Sequence, residues 1–285
     1  SKDQFANLIF HILQTNPKMN MRLSPKLYSG EYDKRTYPFV NEYMTIVLFT
    51  LTQHYLHPKC PLYKSNFKIY KSVYENTGRS LSGMYTLQKV QLPKGFDIAC
   101  VISAQPLKQN KQLYQHVTKV ETLYDHFNLL FWKKRIPHIC CSYGTQVCRN
   151  GLQIKKHALQ NARLSRQLQV WKEMKKEKLI SQSLAYTFVE APSLTLHKYL
   201  QQNSFDIVEW KSLLFQLFFT MALIQKEIPH FVHHDLIPKH IHLKKVPKGG
   251  QFVYTINNIK YYVANFGYIV KILPSVYSYF KNVYD

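Results

Sequence analysis

The chain has 285 residues, which suits one two-lobed domain or two small ones. Hydrophobic residues make up 46% of it, and this share excludes an intrinsically disordered protein. Its 38 Lys and Arg against 16 Asp and Glu give a net charge of +22, a field that attracts nucleic acid, anionic membranes or acidic proteins. The alternative, a basic composition that serves no partner, stays open at this point.

Residues 1–65 are predicted to form a helical extension. Apolar residues recur at helical spacing over residues 4–14, and a second, more apolar helix is predicted over residues 39–56. Prolines punctuate the stretch between them, which indicates a loop-rich connection.

Past residue 66 the period of the pattern changes to that of short strands. Strands are predicted over residues 67–73, 85–92, 96–103 and 139–148. Pro93-Lys94-Gly95 predicts a hairpin turn between the second and third strands, and a long helix is predicted over residues 110–134.

A basic helical insert is predicted over residues 151–180. Leu164, Leu168, Trp171 and Met174 fall on one face of this helix, and Lys and Arg surround the rest. A solvated helix lying on its own lobe and a helix that binds a partner are both compatible with this pattern. For the second interpretation, the candidate partner-binding residues are Arg163, Arg166, Lys172, Lys175 and Lys176.

The C-terminal part is predicted to contain a strand, two helices and a strand-rich tail. The strand covers residues 185–190 and the first helix begins at residue 194. The second helix, over residues 210–226, is apolar nearly all round and is predicted to be central and buried. Residues 252–279 are rich in Tyr, Val and Ile, which is typical of strands and their connections.

The segment from Phe231 to Leu243, FVHHDLIPKHIHL, resembles the catalytic loop H-R-D-L-x-P-x-N-I of protein kinases. His233 takes the position of the structural histidine and Asp235 that of the catalytic base. The helix before this loop and the segment AYTFVEAPSLTLHKYL resemble those of kinases from large nucleocytoplasmic DNA viruses.

The resemblance implies an α+β, protein kinase-like two-lobed fold: a small sheet and one long helix on a helical C-lobe that is truncated. Residues 66–190 would form the N-lobe, with the basic insert at 149–182, and residues 191–285 the truncated C-lobe.

The nucleotide cleft implied by the resemblance is vestigial. Gly78 and Gly83 frame a segment similar to the glycine-rich loop, Glu121 takes the position of the helix glutamate, and Glu190 lies at the hinge. A competing register, with Glu42 in place of Glu121, stays open.

Three positions that handle cations in kinases carry other residues. The register of the ATP-binding lysine falls on Cys100-Val101-Ile102, and His240 replaces the asparagine that holds Mg²⁺. The D-F-G aspartate is replaced by Pro274, or by Asn265 in a second register. The resemblance therefore implies a vestigial base at Asp235, no metal site and no ATP or Mg²⁺ cofactor.

The expected function is that of a catalytically inactive pseudokinase, a scaffold or structural component of a viral particle or complex. Protein partners in an assembly are expected, in the host cytoplasm or the virion. One alternative is an unorthodox serine/threonine protein kinase that binds ATP through Lys89 or Lys94. Another is a basic module that binds nucleic acid or another polyanion.

Two further features concern the compartment. The five cysteines form no C-x-x-C pair and no zinc spacing, which predicts reduced thiols in an intracellular compartment. The longest apolar run, residues 45–51, is too short to cross a bilayer, so no transmembrane segment is expected.

Overall fold

The computed structural model describes residues 68–75, 84–91, 97–134, 136–153, 162–256, 259–275 and 277–280. The predicted extension 1–65, the competing register at Glu42, the glycines Gly78 and Gly83, and the turn at 93–95 lie outside these ranges.

The described chain is a mixed fold of small antiparallel sheets and four helices. The elements of its first part are β1 (Lys68–Glu75), β2 (Tyr85–Gln91), β3 (Asp97–Pro106), α1 (Lys111–Lys134), β4 (Ser142–Cys148), α2 (Ala162–Lys176) and β5 (Ile180–Val189). Those of its second part are β6 (Leu194–Thr195), α3 (Leu196–Gln202), α4 (Ile207–Glu227), β7 (His242–Lys245), β8 (Gln251–Ile256), β9 (Ile259–Ala264) and β10 (Tyr268–Lys271). The predicted strands and helices that fall in the described ranges are confirmed, with ends shifted by a few residues; of the predicted insert helix, the structure describes α2.

The larger sheet has the strand order β1-β2-β3-β5-β4, and all its neighbours are antiparallel. Strand β3 lies in the middle, where β-branched and small apolar residues suit burial on both faces. Cys100 and Ile102 are fully buried. Helix α1 connects β3 to β4 and packs Val117, Val120 and Tyr124 into the core of this sheet.

Helix α2 packs on the same core through its apolar stripe. Leu164, Leu168, Trp171 and Met174 are at most 3% exposed, and Trp171 is completely buried. The spacing of these four residues therefore fixes α2 to its own sheet.

Helix α4 packs in a second core, but the prediction that this helix is central and buried is wrong, because one of its faces is exposed. Its buried residues include Ser212, Gln216 and Thr220, whereas Leu214 and Phe218 are 41% and 66% exposed. The polar residues are buried because they hydrogen-bond to the protein: the Ser212 hydroxyl donates to the Ala264 carbonyl at 2.6 Å.

The same helix is the one helix among the described residues that is long and apolar enough to cross a membrane, by length and composition. Of its most apolar 18-residue stretch, 28% is buried. Helices in the cores of globular proteins meet the same criterion.

The smaller sheets complete the second core. The three-stranded sheet has the order β10-β7-β6, and β8 and β9 form a hairpin. The Gln216 side chain contacts the free edge of β10: its Oε1 accepts from the Val270 N–H at 2.9 Å and its Nε2 donates to the Tyr268 carbonyl at 3.4 Å. Helix α4 is thereby joined to β10 by a side-chain amide.

The prediction of reduced thiols is wrong for Cys148. That residue is disulfide-bonded. Cys100, Cys140 and Cys141 are free and buried, since each fills an apolar position of the core. The irregular spacing of the cysteines in the sequence did not predict a disulfide bond.

Candidate functional site

A cavity of about 70 Å³ lies between the larger sheet and the loop that contains Asp235. Tyr85 and Val101 line it from the sheet, and Val120 and Tyr124 line it from α1. The opposite wall is formed by the side chains of His233, Asp235, His240, His242, Leu273, Pro274 and Ser275. Drug-sized ligands occupy pockets of about 300–1,000 Å³, so this space is well below that size and can hold a few water molecules.

The Asp235 carboxylate is bound by two side chains of the protein. The Ser275 hydroxyl donates to Oδ2 at 3.0 Å, and His240 Nδ1 approaches the same oxygen at 2.8 Å. One oxygen of the candidate base therefore accepts a hydrogen bond from Ser275 and lies within ion-pair distance of the His240 ring.

His233 fixes the loop to the segment that follows β10. Its Nε2 donates to the Leu273 carbonyl at 2.9 Å, which leaves Nδ1 as an acceptor in the neutral ring. Burial lowers the pKa of His233, and burial lowers the pKa of His242 to about 3. Both rings are thus neutral at pH 7.

Several buried polar atoms of residues that line this cavity have no hydrogen-bond partner among the described residues. They include the Tyr85 hydroxyl, His233 Nδ1 and His242 Nδ1. Sequence reasoning missed Tyr85 and His242, because nothing in a single apolar strand marks which of its residues face a cavity.

Glu121 lies on α1, half-buried, beside strand β3. The Gln105 side chain hydrogen-bonds to it, which lowers its pKa, but burial has the larger effect and raises the pKa overall. Its neighbour on the strand is therefore an amide. In the expected lysine register, Val101 lines the cavity while Cys100 and Ile102 are in the core, and the described cavity wall contains neither Lys nor Arg.

Glu190 does not line the cavity and belongs to a separate ionic cluster. Lys271 Nζ, 2% exposed, donates to Glu190 Oε2 at 2.7 Å, and Lys244 Nζ lies 3.9 Å from Oε1. Lys244 also donates to the Ala191 carbonyl at 3.1 Å. Sequence reasoning missed Lys271, although a lysine in the apolar run YIVKI is a signal, because a buried lysine needs a carboxylate partner.

Asn265 and Pro274, the two residues expected at the position of the D-F-G aspartate, lie in different parts of the structure. Asn265 closes a turn: its side chain donates to the carbonyls of Pro247 and Gly249 at 2.9 and 2.8 Å. Pro274, by contrast, lines the cavity beside Asp235. The segment at the cavity is therefore the one that contains Pro274.

The candidate partner-binding residues lie on α2, outside the cavity. Arg166, Lys172, Lys175 and Lys176 are exposed, and the backbone of Arg163 is in the first turn of the helix. Among the described residues, no group of three or more His, Cys, Asp or Glu is placed to hold a metal ion.

Comparison with protein-family models gives no match for this chain. No curated protein matches it either.

Proposed function

We propose that this chain is a protein kinase-like protein without phosphotransferase activity, which acts as a scaffold or structural component of a larger assembly. The resemblance of its loop to that of kinases from large DNA viruses makes a viral particle or complex the setting proposed. A two-lobed arrangement, with the cavity between the lobes, is part of this proposal.

The order of the elements supports the kinase-like interpretation. In protein kinases the ATP-binding lysine is on the third strand, and its glutamate partner is on the following helix. Here β3 and α1 follow in that order, and both line the cavity that also contains Asp235.

The observation that carries the proposal is the set of contacts made by the Asp235 carboxylate. The Ser275 hydroxyl donates to its Oδ2 and His240 Nδ1 lies 2.8 Å from the same oxygen, within a cavity of about 70 Å³. A catalytic base must reach the proton that it abstracts, and a phosphoryl group needs cations around it. Asp235 instead joins the loop to the segment after β10, which is a structural role.

The residues at the other expected positions support inactivity. Val101, one of the three residues in the expected lysine register, and Pro274, in the expected register of the Mg²⁺ carboxylate, line the cavity and offer it neither an ammonium nor a carboxylate. Imidazole, as supplied by His240, is a poor ligand for Mg²⁺, which prefers oxygen donors.

Mg-ATP binding tests this proposal by thermal shift. A ligand at about a hundred times its Kd stabilises a protein by about 2.7 kcal/mol, which raises Tm by roughly 5–10 °C in a chain of this size. We expect no shift for the wild-type protein with millimolar ATP and either Mg²⁺ or Mn²⁺. A clear, metal-dependent rise in Tm would refute the proposal.

A variant with the three replaced groups restored serves as the matched positive control. Val101→Lys, His240→Asn and Pro274→Asp return an ammonium, an amide and a carboxylate to the cavity wall. A shift in this variant and none in the wild type would support the assignment of these positions.

The alternative of an unorthodox kinase requires a lysine at the cavity. Lys239 is in the cavity-lining loop, but it is exposed and does not line the cavity. Lys271 and Lys244 are close in sequence to the lining residues, and both are engaged with Glu190 or Ala191. No observation on the described residues favours this alternative.

A further inference from the structure

Four separate chain segments meet at one end of the larger sheet. The end of β3 joins the start of β5 through the Leu107 N–H, which donates to the Leu179 carbonyl at 3.2 Å. The turn after β4 joins β5 through Gln182, which donates to Asn150 Oδ1 at 2.7 Å. The C-terminus of α2 reaches the same place, because Lys175 Nζ donates to Gln182 Oε1 at 3.2 Å.

Each of these segments brings exposed basic residues, and we call the set the basic end. It consists of Lys108, Lys111, Arg149, Lys175, Lys176 and Lys178, all exposed. Glu173 and Glu177 are the acidic residues on the same stretch of α2 and its following turn. Six cations against two carboxylates leave this surface strongly positive. The six residues are spread over 71 positions, so the sequence alone does not show that they lie together.

Helix stability explains only part of this charge. Lys175 and Lys176 lie in the last turn of α2, where the macrodipole favours cations. Lys111 begins α1, where the macrodipole disfavours a cation, and the first turn of α1 contains no acidic residue. The basic end therefore holds positive charge that the fold itself does not need.

The surface is also held in place. The buried stripe of α2, with Trp171 completely buried, orients the exposed lysines of this helix outward. Tyr114, 38% exposed, lies one turn after Lys111 on α1 and adds an aromatic ring beside the cations.

We propose that the basic end is a binding surface for nucleic acid. Protein–protein interfaces have a core depleted of charged residues, whereas nucleic-acid interfaces are polar and strongly positive. The basic end fits the second description, and Tyr114 offers a ring on which a base can stack. The lysines and arginine contact phosphates, so binding is strong at low salt and tolerant of sequence. The basic end is separate from the cavity, and this proposal does not depend on the kinase-like function proposed above.

Fluorescence anisotropy with labelled oligonucleotides tests the proposal. Probes of about 20 nucleotides, single-stranded and duplex, are titrated across a salt series. The variant Lys108→Gln/Lys175→Gln/Lys178→Gln removes one cation from each of three segments. On duplex DNA each phosphate contact contributes about 0.9 to the slope of log K against log salt, so the slope should fall by about 2 to 3. Affinity at about 0.1 M salt should fall at least tenfold.

A control variant with the same net charge as the first variant distinguishes binding at the basic end from attraction by the overall charge of the protein. Lys198→Gln/Lys211→Gln/Lys260→Gln changes three exposed lysines elsewhere. It should bind within about twofold of wild type, and exposed substitutions of this kind should change stability by no more than about 0.5 kcal/mol each.

Three outcomes overturn the proposal. The first is equal weakening by the two variants, which would mean that net charge alone attracts the probe. The second is absence of oligonucleotide binding at low salt. The third is binding of polyglutamate, or of phosphatidylserine vesicles, that is as tight as that of the oligonucleotide and equally sensitive to the first variant.

Discussion

Replacing Lys271 with methionine should cost much of the stability of this protein. The change keeps the length of the side chain but removes the ammonium group that lies 2.7 Å from Glu190. Glu190 is 5% exposed, so its carboxylate would remain buried with the weaker interaction of Lys244, at 3.9 Å. Breaking a buried ion pair by removing one partner costs about 3–5 kcal/mol. Because Lys244 offsets part of the loss, we expect about 3 kcal/mol, or a fall in Tm of roughly 6–12 °C.

A double-mutant cycle measured by urea unfolding distinguishes the ion pair from simple packing. In Lys271→Met/Glu190→Gln neither charge remains, so the double variant should be more stable than Lys271→Met alone. A cost below about 1 kcal/mol for Lys271→Met, or costs that simply add in the double variant, would show that the pair is not a unit.

Two further predictions concern stability. Burial lowers the pKa of both His138 and His242 to about 3, against about 6.5 in the unfolded chain, so the unfolded state binds more protons between these values. The free energy of unfolding should therefore fall as pH is lowered from about 6.5 toward 3; urea midpoints that stay constant or rise on acidification would contradict this. Trp171→Ala should cost about 3–5 kcal/mol because the ring is completely buried, whereas the adjacent exposed Lys172→Ala should stay within about 0.5 kcal/mol. Similar losses for the two in calorimetry would mean that α2 is not fixed to the sheet through this face.

Periodicity predicted most of the described elements because it follows directly from which residues are buried. Strand β3 is a continuous apolar run, and the stripe around Trp171 repeats at helical spacing, so both were predictable from the sequence. The same reasoning gave a wrong prediction for the burial of helix α4. Its polar residues Ser212 and Gln216 are satisfied by backbone groups of strands about 50 positions later, and such pairing has no local signature.

Only those residues of the candidate site that belong to one contiguous sequence motif were predictable. His233 and Asp235 stand in one loop and were found together. The hydrogen bond to Asp235 comes from Ser275, 40 positions away, and depends on how the segment after β10 packs. The basic end was only partly predictable, since Lys175 and Lys176 lie in the insert while Lys108 and Arg149 join them through the sheet.

The Gln216 amide has a consequence for how this protein can meet other chains. Strand β10 is at the border of its sheet, where free backbone groups invite a foreign strand to pair. Gln216 occupies two of these groups, and the His138 ring occupies a third, the Val270 carbonyl, at 3.0 Å. A partner that binds by strand addition would have to displace both side chains here. Among the described sheets, the other outer strands are β1 and β4 of the larger sheet, the short strand β6, and both strands of the β8–β9 hairpin, and such a partner would have to pair with one of these.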